Sequence, residues 1–75
     1  MQKTSNQSKK VIVINGFKYL FNFTFTLLEL MDYLGFNKNV IVIDYNGTIL
    51  EKNNWELTIL KTGDSLEILS IAGGG

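Results

Sequence analysis

Cysteine, histidine, arginine and proline are all absent from this 75-residue chain. Without cysteine there is no disulfide frame, no thiolate metal site and no thiol nucleophile. Without histidine the chain lacks the commonest general base at neutral pH and the commonest metal ligand. Carboxylates alone can bind a hard cation, but no stretch is spaced like a calcium loop. Asp32, Asp44, Asp64 and Glu51 show no paired spacing suited to acid–base work, and they read as solvated surface groups. Autonomous catalysis and a bound metal are therefore not expected. Net charge is also missing, because seven lysines balance seven acids. Nucleic-acid binding draws on a basic surface that displaces counterions, and this chain has none overall. The one basic cluster, Lys3, Lys9 and Lys10, lies in a polar leader and reads as a solvated tail. No apolar run is long enough to span a bilayer. Met1 to Lys10 lacks the apolar centre of a secretory signal. The expected compartment is the cytoplasm, or the plastid stroma if an organelle gene encodes the chain. The richness in Asn, Lys, Ile, Phe and Tyr fits an AT-rich genome of that kind.

A chain of this length makes one small domain. It buries only about 60% of the surface it exposes when unfolded. That leaves no room for a deep pocket with its own supporting shell. Such a domain more often offers a surface or a terminus to a larger partner, and this one is expected to be a monomer when alone.

The order of elements can be read from local patterns. Val11-Ile12-Val13-Ile14 is a β-branched run, and Asn15-Gly16 after it is a strong hairpin signal. The roughly alternating Phe17 to Phe23 is the returning strand. Thr26-Leu27-Leu28-Glu29 fits a capping box, in which the Thr hydroxyl and the Glu carboxylate each satisfy a free backbone N–H. Leu27, Leu30, Met31 and Leu34 then recur at helical spacing, and Gly35 supplies a left-handed cap. The spacing predicts a helix over 27–34 with that stripe in the core. Val40 to Ile43 is a third strand, Asn46-Gly47 a second tight turn, and Thr48 to Leu50 a brief strand. Asn53 to Glu56 reads as a turn or one helical turn anchored by Trp55. Thr62-Gly63-Asp64 is a turn, and Ser65 to Ile71 is the last strand.

One amphipathic helix must cover one face of a mixed sheet, since each needs the other to bury its apolar side. With right-handed crossovers, ββαββ order gives an α+β, β-grasp (ubiquitin-like) fold. It has a mixed sheet of four to five strands packed on one helix. The first and last strands lie parallel in the middle. The expected organisation is a leader over 1–10, the domain over 11–72 and a glycine tail over 73–75.

The sequence resembles the ThiS family, the sulfur carriers of thiamine (thiazole) biosynthesis. The resemblance runs from Val11 to Gly75. It rests on Ile12-Val13-Ile14-Asn15-Gly16, on Thr26-Leu27-Leu28-Glu29-Leu30 and on Asn46-Gly47-Thr48-Ile49-Leu50, with Lys52 and Trp55 following. It closes on Gly63-Asp64-Ser65-Leu66-Glu67-Ile68 and the terminal Gly73-Gly74-Gly75. Two departures are a longer leader and Glu51-Lys52 where the family often has Pro-Arg. The resemblance implies that the Gly75 carboxylate is adenylated and then converted to a thiocarboxylate. A ThiF-like adenylyltransferase would use ATP for the first step, so the chain itself would bind no cofactor. A cysteine desulfurase route would supply sulfur, and a ThiG-like thiazole synthase would take it. Glycines suit a tail that enters a narrow passage, because they lack Cβ. Two other readings share the fold. One is a MoaD-type carrier for molybdopterin synthesis, although Leu69-Ser70-Ile71-Ala72 before the tail favours the ThiS type. The other is a ubiquitin-like modifier or plain interaction module.

Strand alternation adds a surface. If Ile12, Ile14, Leu66 and Ile68 face the helix, then Val11, Val13, Leu69 and Ile71 face away. Val13, Leu69 and Ile71 are therefore the expected partner-docking residues, forming an apolar patch beside the glycine tail.

Overall fold

The computed structural model describes residues 9–71. The leader up to residue 8 and the segment from Ala72 to Gly75 lie outside the described residues, and with them Gly73, Gly74 and Gly75.

The chain forms β1 (Lys10–Ile14), β2 (Phe17–Phe21), α1 (Leu27–Leu34), β3 (Ile41–Tyr45), β4 (Thr48–Leu50) and β5 (Ser65–Ser70). Strand order across the sheet is β2-β1-β5-β3-β4. β1 and β5 are parallel neighbours, and the other pairings are antiparallel. This is the expected β-grasp, with α1 against one face of a five-stranded sheet. Both hairpins turn on Asn-Gly pairs with positive φ at each position: 50° and 87° at Asn15 and Gly16, 51° and 94° at Asn46 and Gly47. That is the turn whose twist matches the flanking strands.

The helix begins where the capping box places it. Glu29 N–H donates to Thr26 Oγ1 at 3.1 Å, and Thr26 N–H donates to Glu29 Oε1 at 2.8 Å. Gly35 closes it at φ 82°, with its N–H on the Met31 and Asp32 carbonyls. The cap holds a helix of only eight residues, too short to be stable by propensity alone. Thr26→Ala is therefore expected to cost about 1 kcal/mol. A thermal melt should show the midpoint falling by about 4–8 °C, with Thr26→Ser restoring most of it.

Ile12 and Ile14 from β1, Leu66 and Ile68 from β5, and Ile43 from β3 pack on Leu27, Leu30 and Met31. Trp55 closes one end. It sits in a 3-10 helix over Lys52–Leu57, is 2% exposed, and donates its indole N–H to Leu50 O at 3.0 Å. The connection to β5 is stitched to the start of the helix. Leu27 N–H donates to Thr58 O, and Leu60 N–H donates to Phe25 O. A perpendicular contact between Phe21 and Phe25, with ring centres 5.1 Å apart, packs β2 against this corner.

Five expectations shift. β5 ends at Ser70, one residue short of Ile71. Val40 is not in the third strand. It ends a 3-10 turn over Lys38–Val40, which the Asn37 side chain caps by accepting from Asn39 N–H, and only its carbonyl reaches β5, at Ile71 N–H. Leu34 is exposed rather than core, since it lines an open groove with Ile14, Phe17 and Tyr19 of the facing strands and is not packed tightly against them. β1 starts at Lys10, one residue inside the expected leader, paired with Phe21. β2 stops at Phe21, short of Phe23.

Candidate functional site

The chain reaches its glycine tail through β5, so the anchoring of β5 is the first feature of the site. β5 is the central strand, and both Asn-Gly turns fold their asparagine side chains onto it. The backbone ladder from β1 pairs Val13 with Ser65 and Ile14 with Leu66, and closes with Asn15 N–H on Leu66 O at 2.8 Å. The Asn15 side chain then adds one more rung. Its Oδ1 accepts from Ile68 N–H at 2.6 Å, and its Nδ2 donates to Ile68 O at 3.4 Å. From the other side, Asn46 N–H donates to Ser65 O at 2.8 Å, and Asn46 Oδ1 accepts from Ser65 N–H at 2.7 Å. The far end is held by Ile71 N–H on Val40 O at 2.8 Å. The strand is thus gripped from its first residue to the last described one.

Asp64, directly before β5, is only 4% exposed. Its carboxylate accepts from the Tyr45 hydroxyl at 2.9 Å, Asn46 Nδ2 at 3.1 Å and Lys61 N–H at 2.8 Å. Burial by itself raises its pKa. The three donors, with the Lys61 charge behind them, outweigh that and hold the carboxyl below its ordinary value. Tyr45 is pushed above the ordinary phenol value by burial, then by the hydrogen bond to Asp64 and by its charge. Asp64 is therefore an ionised anchor, not the solvated surface acid that the sequence suggests. The other three acids stay apart. Asp32 pairs with Lys38, Asp44 accepts from Gly47 N–H at 2.7 Å, and Glu51 is exposed. Among the described residues, no three of His, Cys, Asp and Glu gather closely enough to hold a metal ion.

The sheet face away from α1 is the second feature. Ile12, Ile14, Leu66 and Ile68 are buried against the helix, so Val13, Leu69 and Ile71 point outward as expected. Leu69 is 49% exposed and Ile71 57%, whereas Val13 is half-buried. The three do not form one patch. Leu69 sits opposite Val42, but Val13 sits opposite Ser65, four residues earlier on β5. At the rise of a strand that is about 13 Å. Between them lie Asp44 and Glu67, directly opposite one another. The surface next to the exit of β5 is Leu69, Ile71 and Val42, while Val13 belongs to a second patch with Val11 and Leu20.

Besides the burial of Asp64, sequence reasoning missed two features. One is the double role of Asn15 and Asn46, whose only local trace is that Asn, not Gly, opens both turns. The other is on the helix side. There the edge strand β2 overhangs α1, leaving Phe17, Tyr19, Leu34 and Phe36 around an open apolar groove with Ile14. A run of exposed apolar residues on a strand looks like a core strand in sequence.

The fold defines the class: a β-grasp domain whose central last strand is anchored along its described length. The comparisons give the particular family. The ThiS family matches residues 8–75, and the chain belongs to it. It is a sulfur carrier protein with the β-grasp fold of that family. The thiamine biosynthesis protein ThiS from Geobacter metallireducens superposes with a TM-score of 0.75. The two are 26% identical, and the match covers 87% of this chain and 99% of that one. The ycf40 protein of Trieres chinensis is 38% identical over 72 residues, which is 96% of this chain and 99% of that protein. A thiazole synthase from Paramagnetospirillum magneticum contains a segment 31% identical over 64 residues, and the matched part is 20% of its length.

Proposed function

We propose that this protein carries sulfur for thiazole formation as a thiocarboxylate on Gly75, and that it acts as a co-substrate of larger enzymes, not as a catalyst. In the first step a Gly75 carboxylate oxygen attacks the α-phosphorus of ATP and pyrophosphate leaves. This happens in the site of a ThiF-like adenylyltransferase. The outer sulfur of a cysteine persulfide, formed through a cysteine desulfurase, then attacks the carbonyl carbon and AMP leaves. A second thiol attacks the cysteine sulfur in the resulting acyl disulfide, forming a disulfide with it and releasing the thiocarboxylate. A ThiG-like thiazole synthase takes the sulfur from the resulting thiocarboxylate. The observation that carries this reading is the family match, which runs through the final glycine. The carrier-like segment within a thiazole synthase supports the choice of acceptor. The ycf40 designation of three relatives fits a plastid setting.

Physical chemistry divides the labour. A carboxylate is a poor electrophile, so it must first gain a leaving group. The group must reach a recessed site, and four residues beyond Ile71 span at most about 13–14 Å. Glycine lets the partner's walls close directly on backbone. The test is intact mass after incubation with an activating enzyme, ATP and a sulfur source. The expected product is a free terminus with sulfur in place of oxygen on Gly75, located by fragmentation. Conjugation of the terminus to other proteins, or no change, would overturn the reading.

Docking is assigned to the surface beside the exit of β5. Leu69→Asp places a third carboxylate next to Asp44 and Glu67 on an exposed position. Surface substitutions usually move stability by less than about 0.5 kcal/mol, whereas a charge facing an apolar contact costs a partner several-fold or more in affinity. The variant should melt within a few degrees of the parent and bind the activating enzyme at least tenfold more weakly, by titration calorimetry. Val13→Asp, on the separate patch, should weaken that binding less. Unaltered binding by Leu69→Asp would remove this surface from the mechanism.

A further inference from the structure

We propose that the free edge of β2 pairs with the same edge of a second copy of this chain, joining two sheets into one about a two-fold axis at Tyr19. Small size favours a monomer, but an open edge of this kind does not.

The backbone at this edge has groups left to pair. Antiparallel pairs alternate between bonded and unbonded. The two-residue turn closes on the bonded pair Ile14–Phe17, so Ile12–Tyr19 is bonded, while Val13–Lys18 and Val11–Leu20 are not. Val13 agrees, since its N–H turns the other way, to Asp64 O. The N–H and C=O of Lys18 and Leu20 therefore point out of the sheet. β2 is its outermost strand, and among the described residues nothing hydrogen-bonds these groups. Soluble proteins usually blunt such an edge with proline, a bulge or several charges. β2 has no proline, no break in register and one lysine.

The side chains select the partner. A second β2 laid antiparallel, with Tyr19 opposite Tyr19, bonds Lys18 to Leu20 of the other copy and the reverse. A register centred on Lys18 would set like charges opposite one another. With Tyr19 on the axis, Phe17 faces Phe21 of the other copy. Phe17 is 69% exposed, and Phe21 sits edge-on to Phe23 and Tyr33 beside an open hollow. The groove that Phe17 and Tyr19 share with Leu34 and Phe36 continues this surface. The exposed parts of these side chains, with Phe23 and Tyr33, amount to roughly 600 Å². A stable interface takes about 800 Å² from each partner, a little over half of it apolar. The leader is a poor alternative cover, because it has no apolar residue beyond Met1. β5 lies two strands in, about 10 Å from β2. The contact therefore leaves the Leu69 surface open and does not depend on the carrier reading.

Light scattering and sedimentation read the state. At high micromolar concentration the parent should have twice the 8.5 kDa of one chain, and dilution should return it to one. Lys18→Pro removes an N–H that points out of the sheet and leaves the β1 ladder intact. It should keep the fold and lose the dimer, although it also removes a charge. Because Tyr19 faces its own copy, Tyr19→Glu and Tyr19→Lys should each be monomeric, and their equimolar mixture should form a heterodimer. Unbonded antiparallel pairs bring Cα atoms to about 4.5 Å, within disulfide range. The chain has no cysteine of its own. Tyr19→Cys should therefore give a covalent dimer with oxidised glutathione, and Leu20→Cys should not. A parent that stays monomeric at that concentration, or that grows into larger aggregates, overturns the proposal. So does a dimer that persists in folded Lys18→Pro, or that Leu20→Cys cross-links in preference to Tyr19→Cys. Should Lys18→Pro fail to fold, the Glu and Lys mixture decides, and the absence of a heterodimer is equally fatal.

Discussion

Adding a single alanine after Gly75 is expected to abolish sulfur loading, lowering its rate by at least a hundredfold, while leaving fold and docking as they are. The reasoning starts from where binding and chemistry are separated in this molecule. Affinity is assigned to the face around Leu69, Ile71 and Val42, which lies on a strand gripped at Ser65, Ile68 and Ile71. Chemistry is assigned to one carboxyl group four residues past Ile71. The added residue moves that group outward by about 3.3–3.6 Å and introduces a methyl group where the partner should admit only backbone. A misplacement of about 1 Å already costs on the order of a hundredfold, so the whole residue exceeds what relaxation can absorb. Deleting Gly75 retracts the carboxyl by the same distance and should fail equally.

These two variants and Leu69→Asp should fail in opposite ways. The tail variants should bind the activating enzyme with the parent's Kd and give no adenylate by mass spectrometry. They should also compete with the parent for loading. Leu69→Asp should be loaded slowly because it binds weakly, and excess enzyme should rescue it. If the alanine-extended protein is adenylated and sulfurated as fast as the parent, Gly75 is not the acceptor.

Much of this architecture is written in local sequence. Asn-Gly at 15–16 and 46–47, the reciprocal Thr26/Glu29 cap and Gly35 each act over a few residues, and each appears where expected. Element order then gives the sheet, because a single helix and the right-handed crossover leave few alternatives. Alternation also places Val13, Leu69 and Ile71 correctly on the outer face, since that depends only on parity. What parity cannot supply is stagger. Whether Val13 lies beside Leu69 or beside Ser65 depends on how two strands slide past one another, and that is settled by contacts made far apart in the chain. The same holds for Asn15 on Ile68 and for the burial of Asp64. An asparagine or aspartate in a turn reads as solvated until the strand that it grips is in place. Leu34 was misleading for a different reason. Helical spacing names a stripe but not how closely the facing strands pack on it, and at Leu34 they leave an open groove.

Replacing Asp64 by alanine is expected to have the largest effect on stability of any polar substitution in the domain. Three donors converge on its carboxylate, and the site is nearly closed to water. Asn46 is exposed, so its Nδ2 can bond water while its Oδ1 stays on Ser65 N–H, but Lys61 N–H and the Tyr45 hydroxyl would be left without an acceptor. Donors orphaned in this way cost about 1–3 kcal/mol each when buried. With partial rearrangement, a loss of about 2–4 kcal/mol follows, a large share of the stability of so small a domain. A thermal midpoint lower by roughly 10–25 °C is the expected reading. The charge should also show in the pH dependence. The folded-state pKa of Asp64 lies below its unfolded value of about 3.9. Its contribution is therefore fully present above the unfolded value and is lost as pH falls through the folded one. Comparing the parent with Asp64→Asn should show a stability gap that is constant from neutral pH down to about 5 and narrows below about 4. Tyr45 titrates in the opposite sense. Its folded pKa is raised, so its contribution is present below the ordinary phenol value of about 10 and is lost as pH rises through the folded one. Tyr45→Phe should remove that alkaline loss and reduce the acid-side gap as well, because the hydroxyl is one of the donors that keep Asp64 ionised. A gap of the same size at pH 7 and pH 3 would mean that the carboxylate charge contributes nothing to the grip on β5.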